Sequence, residues 1–150
     1  MLRVTKLTDY GITMMTHLAG IQDGTQVTAP TISEEIGLPL PTVRKILKLL
    51  TRQGLLVSTR GVAGGYCLAR EAEAISLLDM IAALEGPVAV TECATGEDCQ
   101  CERELNCGLR ENWSVVNSLL QRTLRGYNLA QMRGTLPASP LLDFSPQPRG

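Results

Sequence analysis

The stretch "GLPLPTVRKILKLLTRQG", residues 37–54, carries two patterns at once. Val43, Ile46, Leu47 and Leu50 fall at i, i+3, i+4 and i+7, which lines up one apolar stripe on a helix. At roughly 100° per residue, Arg44, Lys45, Lys48 and Arg52 gather on the opposite side. Pro41 suits the first helical position and Gly54 a helix stop, so the spacing predicts a helix over 41–53. Just upstream, "TISEEIG" predicts a short helix capped by Thr31 or Ser33 and stopped at Gly37, with a turn over 38–40. A short helix, a tight turn and a second helix with a cationic outer face read as a helix-turn-helix.

Downstream, "LLVSTRGVAGGYCLAR", residues 55–70, holds two β-prone runs, 55–59 and 66–69, around a glycine-rich turn. Alone, the turn is a flexible hairpin tip; after a cationic helix it reads as the wing of a winged helix. Gly64 and Gly65 would let the hairpin approach phosphates, and Arg60 would reach a minor groove. Lys45, Lys48 and Arg52 are then expected to hold phosphates, and Thr42 and Arg44, near the helix start, to reach base edges. Cys67 is expected to be a packed thiol.

The rest of the chain fits around this unit. Residues 5–20 predict a helix entered at Thr8 or Asp9, closed by Gly20, with Tyr10, Met14, His17 and Leu18 near one face. Ordinary packing is expected of His17, the only histidine. Ser76 and Asp79 form a capping pair for a helix with Leu77, Leu78, Ile81 and Leu84 on its apolar face, ended by Gly86-Pro87. Leu109, Trp113, Val116, Leu120, Leu124 and Tyr127 make a heptad-like seam on one long helix, which favours a two-fold homodimer. The expected fold class is mainly α with a small β-hairpin, a winged helix-turn-helix plus a long C-terminal dimerisation helix. Its parts are a DNA-binding domain at 1–86, a cysteine-rich loop at 87–108, the dimerisation helix at 109–133 and a proline-rich, disordered tail at 134–150.

The bulk numbers allow one domain with a proper core: 150 residues, 44% hydrophobic and 19% charged. The net charge of -1 conceals an asymmetry. Residues 41–70 contain six Lys or Arg and no acid, whereas residues 71–112 contain ten acids against Arg103 and Arg110. A polyanion is therefore expected on one face only. The first residues do not read as a signal peptide, and no apolar run approaches the roughly 20 residues of a membrane span. A cytoplasmic, reducing location is expected. No Ser-His-Asp set, P-loop or dinucleotide fingerprint is present, so the chain is not read as an enzyme.

Four of the five cysteines, Cys93, Cys99, Cys101 and Cys107, crowd into "CATGEDCQCERELNC". A reducing compartment disfavours structural disulfides. No C-x-x-C knuckle is present for zinc or for thioredoxin-like chemistry, so the spacing puts an iron–sulfur site modestly ahead of zinc.

Taken together, "LRVTKLTDYG", "EEIGLPLPTVRKILKLLTRQGLL", "STRGVAGGYCLAR", "ISLLDMIAALEG" and the cysteine loop resemble the winged-helix iron–sulfur transcription regulators of the IscR and NsrR type. The resemblance covers nearly residues 1–133, and "TEC" and "CGLRENW" are most similar to the branch that controls the Suf cluster-assembly operon. It implies a homodimer on a two-fold double-stranded DNA operator, with one cluster per subunit, commonly 2Fe–2S. It also implies ligands at Cys93, at Cys99 or Cys101, and at Cys107. Arg110 stands where IscR-like members carry a histidine ligand, so that ligand is absent. Asp9 matches the N-terminal aspartate that NsrR-like members contribute from the other subunit, and its competing role is that of a helix cap. The function implied is a cluster-sensing regulator, a repressor, of cluster-assembly genes. A nitric-oxide or redox-sensing repressor and a zinc-stabilised regulator are the alternatives, with a thiol redox enzyme behind them.

Overall fold

The computed structural model describes residues 4–91 and 107–134. The cysteine loop's Cys93, Cys99 and Cys101 and the tail from residue 135 lie outside the described residues.

Helix α1 (Lys6–Leu18) starts one turn earlier than the sequence suggests. Thr5 is its N-cap, and its hydroxyl accepts from the Thr8 N–H at 3.3 Å. Asp9 is therefore a first-turn residue and not a cap. The deciding partner is remote in sequence: the Thr5 N–H donates to Glu85 Oε1 at 2.8 Å. Helix α2 (Ala29–Ile36) is likewise capped earlier, by Thr28, because Pro30 is tolerated in a first helical turn. Gly37, at φ 68°, closes it in the left-handed conformation that glycine adopts most easily.

Helix α3 (Leu40–Arg52) follows after a two-residue turn, and Val43, Ile46, Leu47 and Leu50 are fully buried. They pack with Met14, Met15, Ile32, Leu56, Ile75 and Met80 in one core. Strands β1 (Leu56–Thr59) and β2 (Gly65–Leu68) pair antiparallel, with Leu56 opposite Leu68 and Ser58 opposite Tyr66. On its other side β2 is tied to the chain before α2: the Val27 N–H donates to the Tyr66 carbonyl at 3.0 Å, and the Tyr66 N–H to the Val27 carbonyl at 2.8 Å. A 3-10 turn (Ala72–Ala74) leads to α4 (Leu77–Glu85), which has the full Ser76–Asp79 capping box. Leu78, Met80, Ile81 and Ala83 are buried, while Leu77 and Leu84 are half-buried. Gly11 brings α1 so close to α4 that a Cβ there would collide with the Leu84 side chain.

The C-terminal part departs most from expectation. Helix α5 (Arg110–Arg125) is not continuous to residue 133. Gly126 ends it, and Asn128 with Gln131 forms a new capping box for α6 (Leu129–Arg133). A glycine followed by a strong helix start outcompetes the heptad pattern. Tyr127 thereby leaves the seam; its carbonyl accepts from the Leu77 N–H at 2.7 Å. Leu129 is fully buried against the winged helix, and its N–H donates to the Ile75 carbonyl at 2.8 Å. The chain thus leaves the head after α4, runs along α5 and returns to close the head's core.

Candidate nucleic-acid interface

Burial of the apolar stripe of α3 leaves its opposite side outward. Arg44, Lys45, Lys48 and Arg52 are all exposed, and Thr42 is half-buried. Neither these cations nor Arg60 makes an ion pair with a described residue; the pairs found are His17–Glu35 and Arg70–Asp79. Unpaired cations on one helix face are free for phosphate.

The structure brings Arg44, Lys48 and Arg52, spaced i, i+4, i+8, to the edge of an open groove of about 590 Å³. Ala29, Thr51, Ser58 and Tyr66 complete its lining. Thr42, Lys45 and Arg60 are not among the lining residues, and Arg60 lies in the exposed hairpin turn. Thr51, Ser58 and Tyr66 are absent from the sequence reading. The signal for the last two was the hairpin register, which sets Ser58 directly opposite Tyr66 and so on one face of the ribbon.

The two wing glycines have a packing reason of their own. A Cβ on Gly65 would lie 2.7 Å from the Val27 carbonyl oxygen, and one on Gly64 would collide with the Thr59 carbonyl. Both contacts are with backbone, which cannot rotate away. Cys67 is half-buried rather than core, and its sulfur accepts from Gln26 Nε2 at 3.0 Å.

Of the candidate ligands, Asp9 and Cys107 are described. Asp9 is exposed, and its carboxylate makes no hydrogen bond or ion pair with a described residue. Cys107 is half-buried with a free thiol, and its carbonyl accepts from the Arg110 N–H at 3.2 Å at the foot of α5. Among the described residues no three His, Cys, Asp or Glu side chains cluster as a metal site would require. His17 is instead engaged with Glu35, Nε2 to Oε2 at 2.7 Å, which links α1 to α2. The Glu85 carboxyl is held below its ordinary range, chiefly by the Thr8 hydroxyl and then by the Thr5 N–H.

The segment entering the cysteine loop is fastened to α5. The Val90 N–H donates to Asn117 Oδ1 at 3.2 Å, and Gln121 Nε2 donates to the Val88 carbonyl at 2.9 Å. Asn117 is the one buried residue of α5. Leu109, Trp113, Val115, Val116 and Leu119 are exposed.

A family model described as Rrf2, an iron-dependent transcriptional regulator, matches residues 4–134. The chain belongs to the Rrf2 family. IscR of Yersinia pseudotuberculosis, an HTH-type transcriptional regulator, is 31% identical over 132 residues, 87% of this chain and 79% of that one. Among solved structures, CymR (YrzC), the global cysteine regulator of B. subtilis, is 28% identical with a TM-score of 0.65, over 89% of this chain and 97% of that one. T. potens IscR is 29% identical with a TM-score of 0.63, over 87% of this chain and 85% of that one. As an Rrf2 member the chain is a DNA-binding transcriptional regulator and not an enzyme. The winged-helix fold, mainly α with a two-stranded hairpin, is that of its solved relatives. No helix among its described residues is long and apolar enough to cross a membrane.

Proposed function

We propose that this Rrf2 regulator is a homodimeric, cytoplasmic repressor of iron–sulfur cluster assembly genes, the Suf type among them, that senses an iron–sulfur cluster of its own. The observation that carries the reading is the placement of the thiol-rich segment. Four cysteines lie between residues 93 and 107, and the chain on either side of them is fastened to α5. The donor set fits such a group. Thiolates at Cys93, at Cys99 or Cys101, and at Cys107 are the soft ligands that iron–sulfur centres take. Asp9, with its carboxylate unengaged among the described residues, is the proposed fourth ligand, contributed to the other subunit. When bound, a 2Fe–2S cluster supplies a centre whose presence depends on iron, sulfide, oxygen and nitric oxide.

The chain's own residues supply the readout. Asp9 belongs to the head and Cys107 to the foot of α5, so ligands drawn from both tie the head's position to α5. The exposed apolar residues of α5 favour a second copy of the chain as their cover. Lys45, Lys48, Arg52 and Arg60 hold phosphates of the operator, Thr42 and Arg44 face base edges, and Gly64 and Gly65 let the wing lie close to the duplex.

Anaerobic purification with an absorption spectrum and iron and sulfide assays tests this reading. The expected result is visible absorption with iron and sulfide, lost in Cys93→Ala and in Cys107→Ala. Unchanged iron and sulfide in both variants would overturn the ligand assignment, and a colourless protein holding zinc would replace the cluster with a structural metal. The likeness to a global cysteine regulator favours a second reading, a repressor that answers to thiol or redox status through the same cysteines. That reading expects no iron and reversible oxidation within residues 93–107.

A further inference from the structure

We propose that the wall of the groove opposite α3 is a second, uncharged set of contacts to the DNA backbone, made by the hydroxyls of Ser58 and Tyr66. The inference rests on α3 and the wing being the DNA face, and it adds residues that the charge pattern does not reveal.

Three observations carry it. The first is composition: α3 offers Arg44, Lys48 and Arg52 beside Thr51, and the rest of the lining offers the hydroxyls of Ser58 and Tyr66 and one alanine, with no carboxylate. Cations set among hydroxyl donors are the chemistry that holds phosphodiester oxygens, and an open groove admits a continuous strand.

The second observation is that these hydroxyls are unspent. The Ser58 and Tyr66 side chains make no hydrogen bond with a described residue.

The third is rigidity. Tyr66 is bonded through its backbone N–H and carbonyl to Val27, and the glycine before it abuts the Val27 backbone. Ser58 is held opposite by the β1–β2 register. The backbone at both residues is thus set before DNA arrives, which limits the ordering cost of binding to the side chains.

Neutral donors and cations leave different signatures. A lost cationic contact reduces the slope of log affinity against log salt by about 0.9 for each phosphate, because fewer counterions are released. A lost hydroxyl contact lowers affinity and leaves that slope unchanged.

The test measures binding of the full-length protein by fluorescence anisotropy across a salt series. The duplexes are an operator selected from a random pool and a scrambled duplex of equal length. Tyr66→Phe and Ser58→Ala are each expected to weaken both duplexes by about threefold to tenfold with an unchanged salt slope. Lys48→Ala is expected to weaken both with a shallower slope.

Wild-type affinity in both Tyr66→Phe and Ser58→Ala, with Lys48→Ala still impaired, would overturn the hydroxyl wall and leave the interface standing. Wild-type affinity in all three would overturn the interface itself. A loss confined to the operator would make the wall a base reader and overturn the backbone assignment. Competition by inorganic phosphate beyond that of chloride at equal ionic strength would make the groove a free-anion site and overturn it as well.

Discussion

The head and α5 solve the burial problem in opposite ways. In the head, α3 buries all four residues of its apolar stripe, and α6 is drawn in from the far end of the chain to complete the same core. In α5 the one buried residue is polar, Asn117, while Leu109, Trp113 and Leu119 remain 56%, 38% and 53% exposed. Hydrophobic burial stabilises roughly in proportion to the area removed from water. The head therefore carries its own stability, and α5 is a surface whose stabilisation depends on what covers it. On the proposed reading, the head is the DNA reader and α5 the helix through which assembly acts.

The largest effect that would break this contrast lies in the head. Leu47→Ala removes a fully buried side chain and is expected to cost about 2–5 kcal/mol, read by thermal or urea unfolding, at any protein concentration. Trp113→Ala is expected to act oppositely. It should weaken self-association by about tenfold or more in analytical ultracentrifugation, while the head's unfolding at high dilution is unchanged. A Trp113→Ala protein that associates like the wild type would rule out α5 as the proposed dimer surface.

Smaller effects sharpen the boundary between the two regions. Thr5→Ala is expected to cost about 1 kcal/mol through loss of the α1 cap, whereas Asp9→Asn should leave the melting of the cluster-free protein within about 0.5 kcal/mol. With Thr5 as the cap, any effect of Asp9→Asn on a cluster's spectrum or lifetime reports ligation. The smallest effect concerns acid. The Glu85 carboxyl is depressed in the folded state, so its contribution is fully present above the ordinary glutamate range. It is lost as pH falls through the depressed folded value. Because Glu85 is largely exposed, Glu85→Gln should flatten the acid limb of a stability–pH curve by only a few tenths of a kcal/mol.

These contrasts also explain which parts were legible in the sequence. Helix α3, the hairpin and the Ser76 capping box are local: their residues, turn glycines and caps lie within one or two turns of each other, and each is found as expected. The start of α1 was not legible, because Thr5, Thr8 and Asp9 can all cap a helix and the deciding contact comes from Glu85, 80 residues away. The seam from Leu109 to Tyr127 continued on paper because periodicity says nothing of Gly126 or of the pull that Ile75 and the winged-helix core exert on Leu129. At the proposed DNA face, charge pointed to the cations but not to Ser58 and Tyr66, which meet them in one groove only once the hairpin is set against α2 and α3. The thiol-rich composition was plain, but the choice between Cys99 and Cys101 depends on residues 92–106, outside those described.

The fastening of residues 88–90 and Cys107 to the same helix has a consequence in polymer terms. Asn117 and Gln121 fix Val90 and Val88 on α5, whose foot carries Cys107, so both anchor points are set as the protein folds. The entropy of joining two points of a chain grows only as (3/2)RT ln n, and each doubling of the length between them adds about 0.6 kcal/mol. The sequence between the anchors can therefore lengthen or change its donors at little cost to the stability of the head.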